Sequence, residues 1–112
     1  MIWVHRLVAV ALFLFALLVM AFSFAGTIEM ESFPGLRENL TIPVIAVGVF
    51  AVVVAAAGLV LAGVRSRLAQ AATACVVLLL AWRVYTLGPV LHCWDHNSVG
   101  RDDDGTYRCY DL

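Results

Sequence analysis

PVIAVGVFAVVVAAAGLVLAGV, residues 43–64, decides the fold class of this chain. No charged side chain interrupts it. Wound as a helix at 1.5 Å per residue it reaches about 33 Å, enough to cross a hydrocarbon core of about 30 Å. Pro43 suits the first helical turn, where a missing N–H costs nothing. Arg65-Ser66-Arg67 follows directly and is too short for anything but a hairpin connection. Beyond it a second apolar run extends from Leu68 to about Leu87, where Gly88-Pro89 predicts its end. Upstream, Leu7 to Ala25 forms a third run, broken only by Ser23.

The whole chain agrees with this stretch. Of its 112 residues, 63% are hydrophobic and 13% charged, against about 45–50% and about 25% in soluble domains. A mean hydropathy of +0.97 makes apolar side chains the outer surface rather than a minor core. The fold class expected is an all-α integral membrane protein. Its three transmembrane helices lie at about residues 7–25, 43–64 and 68–87, in a membrane domain of residues 1–91, and residues 92–112 form an extracytoplasmic tail. The first run competes with a signal peptide, since Arg6 precedes it and Ser23-Phe24-Ala25 resembles a cleavage site. Its apolar length exceeds the usual 7–15 residues and Phe22 and Phe24 are bulky, so retention is expected.

Charge placement sets the expected orientation. Arg6, Arg65 and Arg67 fall on one side of the three spans. Glu29, Glu31 and Glu38 of the first loop and the aspartates of the tail fall on the other. The positive-inside rule then puts the N-terminus in the cytoplasm and the C-terminus outside a cell plasma membrane. All seven basic residues are Arg, a bias that suggests a GC-rich bacterial genome. A net charge of −1 gives no pull toward nucleic acid.

Gly48, Ala51, Ala55, Gly58 and Ala62 recur at steps of three and four, which lines them along one helix face. In lipid, close backbone approach rather than hydrophobicity holds helices together, so this stripe is the expected packing seam, toward the third helix or a partner. Cys93 and Cys109 flank the tail and are expected to pair as a disulfide outside the cell. Such a staple suits a segment too small for its own core. Cys75 falls inside the third span and is expected to behave as a small buried apolar residue. Asn39-Leu40-Thr41 matches the glycosylation pattern but lies too near the membrane boundary to accept a glycan.

The tail carries two metal-like patterns. In Arg101-Asp102-Asp103-Asp104-Gly105-Thr106, taking Gly105 as the sixth position of an EF-type loop makes Asp102 and Asp104 the third and fifth ligands and Asp111 the twelfth. The first position would then be Gly100, which has no carboxylate. The run resembles the aspartate-rich loop of the extracellular excalibur calcium-binding family over about a dozen residues. That resemblance implies calcium ligation, although this sequence departs at the leading aspartate and in the spacing to Cys109. A solvated acidic turn is the expectation preferred. His92, Cys93, Asp95 and His96 are of types that bind zinc, but the disulfide claims Cys93. No metal and no cofactor is expected.

Arg83 is the one charge within a span, and such residues default to functional suspects. With the helix ending near Leu87, Arg83 sits at headgroup depth beside Trp82 and Tyr85 and contacts a partner or lipid. With the helix running through Pro89 it lies deeper and needs an acid, for which Glu29, Glu31 and Asp95 are the candidates. The interfacial placement is the expectation. Trp94, Tyr107 and Tyr110 give the tail the aromatic character of a contact surface.

No P-loop, HExxH or CxxCH motif is present, and neither His5 nor His92 lies mid-span to ligate haem. The chain therefore reads as a non-catalytic accessory subunit whose partners are other integral membrane proteins and lipid; a respiratory-chain complex is one host class. A small oligomeric channel or transporter is the alternative, with homo-oligomers as its form. An extracellular calcium sensor is a further one.

Overall fold

The computed structural model describes residues 2–111, apart from the side chains of Ile2, Glu29 and Met30, and is mostly helical. Helix α1 (Ile2–Ala25) leads into the single turn α2 (Ile28–Ser32) and strand β1 (Gly35–Glu38). Helix α3 (Thr41–Ala62) and helix α4 (Arg67–Leu91) follow, then strands β2 (Ser98–Arg101) and β3 (Tyr107–Tyr110). Three of these helices, α1, α3 and α4, are long and apolar enough to cross a membrane. The molecule measures 54 × 21 × 20 Å, so its long axis exceeds the thickness of a bilayer, about 40–45 Å with headgroups.

Helix α3 lies between α1 and α4. Its small-residue stripe is what permits this: Gly48, Ala51, Ala55 and Gly58 are buried and Ala62 is half-buried. They meet chiefly α1. A Cβ added to Gly58 would stand 3.2 Å from the Phe13 ring and 3.4 Å from the Ala9 carbonyl. At Gly48 it would come within 2.8 Å of Leu80 on α4. Ala16 and Met20 of α1, Ala51, Val54 and Ala55 of α3 and Val76 of α4 form the resulting core. Large side chains point the other way: Leu14, Phe22, Val60 and Leu78 are each more than 60% exposed. A contiguous apolar belt of this kind is the wrong surface for water and the right one for acyl chains.

The turn between α3 and α4 is tight. Gly63 adopts φ +99°, a left-handed value that glycine reaches without strain. Ser66 then caps α4, its hydroxyl accepting from the Ala69 N–H at 3.3 Å.

Two boundaries depart from the sequence reading. Helix α4 does not stop near Leu87 but continues through Pro89 to Leu91. Pro89 leaves the Tyr85 carbonyl without its helical donor, yet Leu87 and Val90 of that last turn are fully buried against Val44, Cys93 and Val99. Packing holds the turn in place where propensity alone would end it. The fold is also not purely α. Strands β1, β2 and β3 form an antiparallel sheet in that order, with Arg37 opposite Val99 and Val99 opposite Cys109. The first loop thus supplies one strand to the sheet built by the tail, and the two segments make a single cap at one end of the helices.

Candidate functional site

Polar chemistry gathers at the sheet-bearing end. Among the described residues, the buried polar side chains are Ser23, Thr27, Thr41, Arg83 and Ser98, all at that end. Below them the helix core is Ala, Val and Met.

Arg83 is the centre of this cluster and is 1% exposed. The longer α4 places it well below the helix end, and helical side chains lean toward their own N-terminus, so it turns into the bundle. Arg83 is thus enclosed by the protein and paired with Glu31, where contact with a partner or lipid was expected. Arg83 Nη1 donates to both Glu31 oxygens at 3.0 Å. Its Nη2 donates to the Ser23 carbonyl at 2.9 Å and to the Thr27 hydroxyl. Thr27 donates in turn to Glu31 at 3.1 Å, and the guanidinium lies 4.9 Å from the centre of the Phe24 ring. The two terminal nitrogens of the guanidinium serve all four acceptors, a forked set that an ammonium would not match, while the buried Nε has no partner among the described residues. Of the other acids considered, Asp95 lies beside His96, and the Glu29 side chain is outside the described residues.

The sheet is fastened to this cluster and to the helices. Arg101 of β2 donates to the Glu31 carbonyl. Asn39 joins loop to tail: its amide donates to the carbonyls of Cys93 at 2.6 Å and His96 at 2.9 Å. The same side chain's oxygen accepts from the Thr41 N–H and hydroxyl at the start of α3. An amide so engaged is not available to a glycan. Cys93 and Cys109 are joined, with Cα atoms 5.3 Å apart. Cys93 is fully buried, so the disulfide pins β3 to the end of α4. Ser23, Thr27, Asn39 and Arg101 were not evident as structural residues in the sequence. Ser23 and Thr27 stand one turn apart, and Asn39 precedes a helix start, signals too common to single them out.

The aspartate run folds as the turn of the β2–β3 hairpin. Gly105 takes φ +89°, and Asp104 accepts from the Thr106 N–H at 3.0 Å. That backbone bond, with a further one from the Thr106 hydroxyl, holds the Asp104 carboxyl below its ordinary range. Asp102 pairs with Arg108 at 3.0 Å and Asp111 with His96 at 3.0 Å. The three carboxylates of the calcium reading thus face three different partners and do not converge. His92 lies close to the Cys93 and Cys109 sulfurs, but metal binding needs thiolates, and both sulfurs are spent in the disulfide. Cys75 is exposed on the outer face of α4 rather than buried.

Of the three aromatic residues expected to form a contact surface, the structure exposes two. Trp94 is 65% exposed and Tyr110 39%; the Tyr110 ring lies over Gly100, where a Cβ would stand 2.7 Å from it. Tyr107 instead is half-buried against the cluster of Val44, Leu87, Val90, Cys93 and Val99, and burial raises its phenol above the usual value. Phe33 and Leu36 of the first loop add apolar exposure at the same end. No family model, curated protein or solved structure matches this chain.

Proposed function

We propose that this chain is a membrane-embedded accessory subunit that docks other membrane proteins through its sheet-bearing cap, with the cap outside the cell and the Arg65–Arg67 turn in the cytoplasm. One observation carries the reading: a cap of three four-residue strands is held by a disulfide, Asn39 and the Arg83–Glu31 pair, yet exposes Phe33, Leu36, Trp94 and Tyr110. Isolated small sheets are marginal. Rigid aromatic and apolar side chains on a pre-ordered support bind with little entropic loss. The orientation follows from charge: Arg6, Arg65 and Arg67 have no acid near them in the chain, whereas all eight acids lie in the cap.

Site-specific photo-crosslinking tests this. A photoreactive residue at Trp94 or Tyr110 is expected to capture one membrane protein that also co-purifies in fixed ratio. The same residue at Val60, on the lipid belt, is expected not to capture it. Capture of a second copy alone would favour the oligomeric channel or transporter, and equal capture from Val60 would remove the cap as the docking element.

A further inference from the structure

The end opposite the cap carries a feature that docking by the cap leaves unused. Between the start of α1 and the start of α4 lies a laterally open cleft of about 500 Å³, lined by Arg6, Ala9, Phe13, Ser66, Ala69 and Ala72 among others. Small residues make up much of its lining: Ala9 and Ala69 are almost fully buried, and Ala62 and Ala72 line it beside them. Its walls are mostly apolar. Arg6 stands at its mouth, and Ser66 on the opposite wall is flanked in the chain by Arg65 and Arg67, both exposed. Ser66 caps α4 here by taking the Ala69 N–H, which leaves the Arg67 and Leu68 N–H groups without acceptors inside the helix.

These three arginines cannot be neutralised from within. No Asp or Glu occurs in residues 1–28 or 39–94, so the side-chain carboxylates among the described residues are at the far end of a molecule 54 Å long. An apolar cleft facing hydrocarbon must also be filled, since a void forfeits the dispersion contacts of its lining. An acyl chain does this, and an anionic headgroup above it meets the arginines. Basic pockets between transmembrane helices on the cytoplasmic side are the form that such lipid sites take.

We propose that the cleft between α1 and α4 is a binding site for one anionic phospholipid, its acyl chain along Ala9, Phe13 and Ala72 and its phosphate on Arg6, Arg65 and Arg67. The site rests on the membrane-embedded reading above but not on the cap's role as a docking surface. A free phosphate is excluded as the intended ligand because the apolar cleft would remain empty.

Native mass spectrometry of the detergent-purified full chain, titrated with phosphatidylglycerol, phosphatidylcholine or glycerol 3-phosphate, decides the matter. Phosphatidylglycerol is expected to give a one-to-one complex at least about tenfold tighter than phosphatidylcholine, and glycerol 3-phosphate none. Arg6→Gln, at an exposed position that packing does not depend on, should weaken phosphatidylglycerol about fivefold. Ala72→Phe should abolish the complex with all arginines present, provided that the Cys93–Cys109 bond and a monodisperse protein report an intact fold. Equal binding of the two lipids, or an unchanged Arg6→Gln affinity, would overturn the site. Undiminished binding to folded Ala72→Phe would do so too, by showing headgroup attraction without a cleft. None of these results depends on which side of the membrane the cap occupies or on what it binds, so their failure is separable from failure of the crosslinking.

Discussion

Replacing Glu31 by Ala will destabilise the protein by about 3 kcal/mol, measured as unfolding of the purified chain in a denaturing detergent titration. Removing one partner of a buried ion pair leaves an uncompensated charge, at a cost of about 3–5 kcal/mol. The lower end applies because Glu31 is 22% exposed and Arg83 keeps the Ser23 carbonyl and the Thr27 hydroxyl. The double variant Arg83→Leu with Glu31→Leu should recover most of the loss, since an apolar pair of similar volume is often as stable as a buried ion pair. A Glu31→Ala variant within about 0.5 kcal/mol of wild type would mean that Arg83 does not depend on Glu31.

The second large effect is expected from the disulfide. Cys93→Ala with Cys109→Ala opens a loop of about 15 residues, for which chain entropy gives about 3 kcal/mol. The loss should be local. Cys93 packs with Val44, Leu87, Val90 and Val99, whereas the membrane-helix core around Met20 and Ala55 shares none of these residues. Hydrogen exchange at residues 98–101 and 107–110 should therefore accelerate while the middle of α3 stays protected. Unchanged exchange in the two strands would show that Asn39 and Arg101 alone hold the cap.

The helices were legible because a span of apolar residues is a signal that needs no tertiary context: residues 43–64 admit one reading in lipid. What depended on distant partners was not. The end of α4 is decided by Leu87 and Val90 packing on a tail that lies further along the chain, so Pro89 misled. The sheet pairs residues 35–38 with 98–101, sixty or more positions apart, through four-residue strands with little alternation to announce them. Within the hairpin a local clue did exist: Asp104-Gly105 between Val99 and Tyr107 fits a hairpin turn, in keeping with the solvated acidic turn preferred for this run, but nothing local named the strand that would pair with it. Arg83 was recognisable as needing an acid, but the choice of Glu31 required α4 to be longer than its proline suggested. Tyr107 and Tyr110 are three residues apart in one strand and so fall on opposite faces, which separates the half-buried ring from the exposed one.

The proposed opposition of the two ends across a bilayer is the premise of both the docking cap and the lipid cleft, and cysteine accessibility measures it directly. In a Cys75→Ala background, Asp103→Cys in the cap and Arg65→Cys in the turn would each be treated, in intact cells, with a membrane-impermeant thiol reagent. Both positions are exposed. The account predicts labelling of Asp103→Cys in intact cells and of Arg65→Cys only after permeabilisation. Labelling of both from the same side, or of Arg65→Cys alone before permeabilisation, would contradict it.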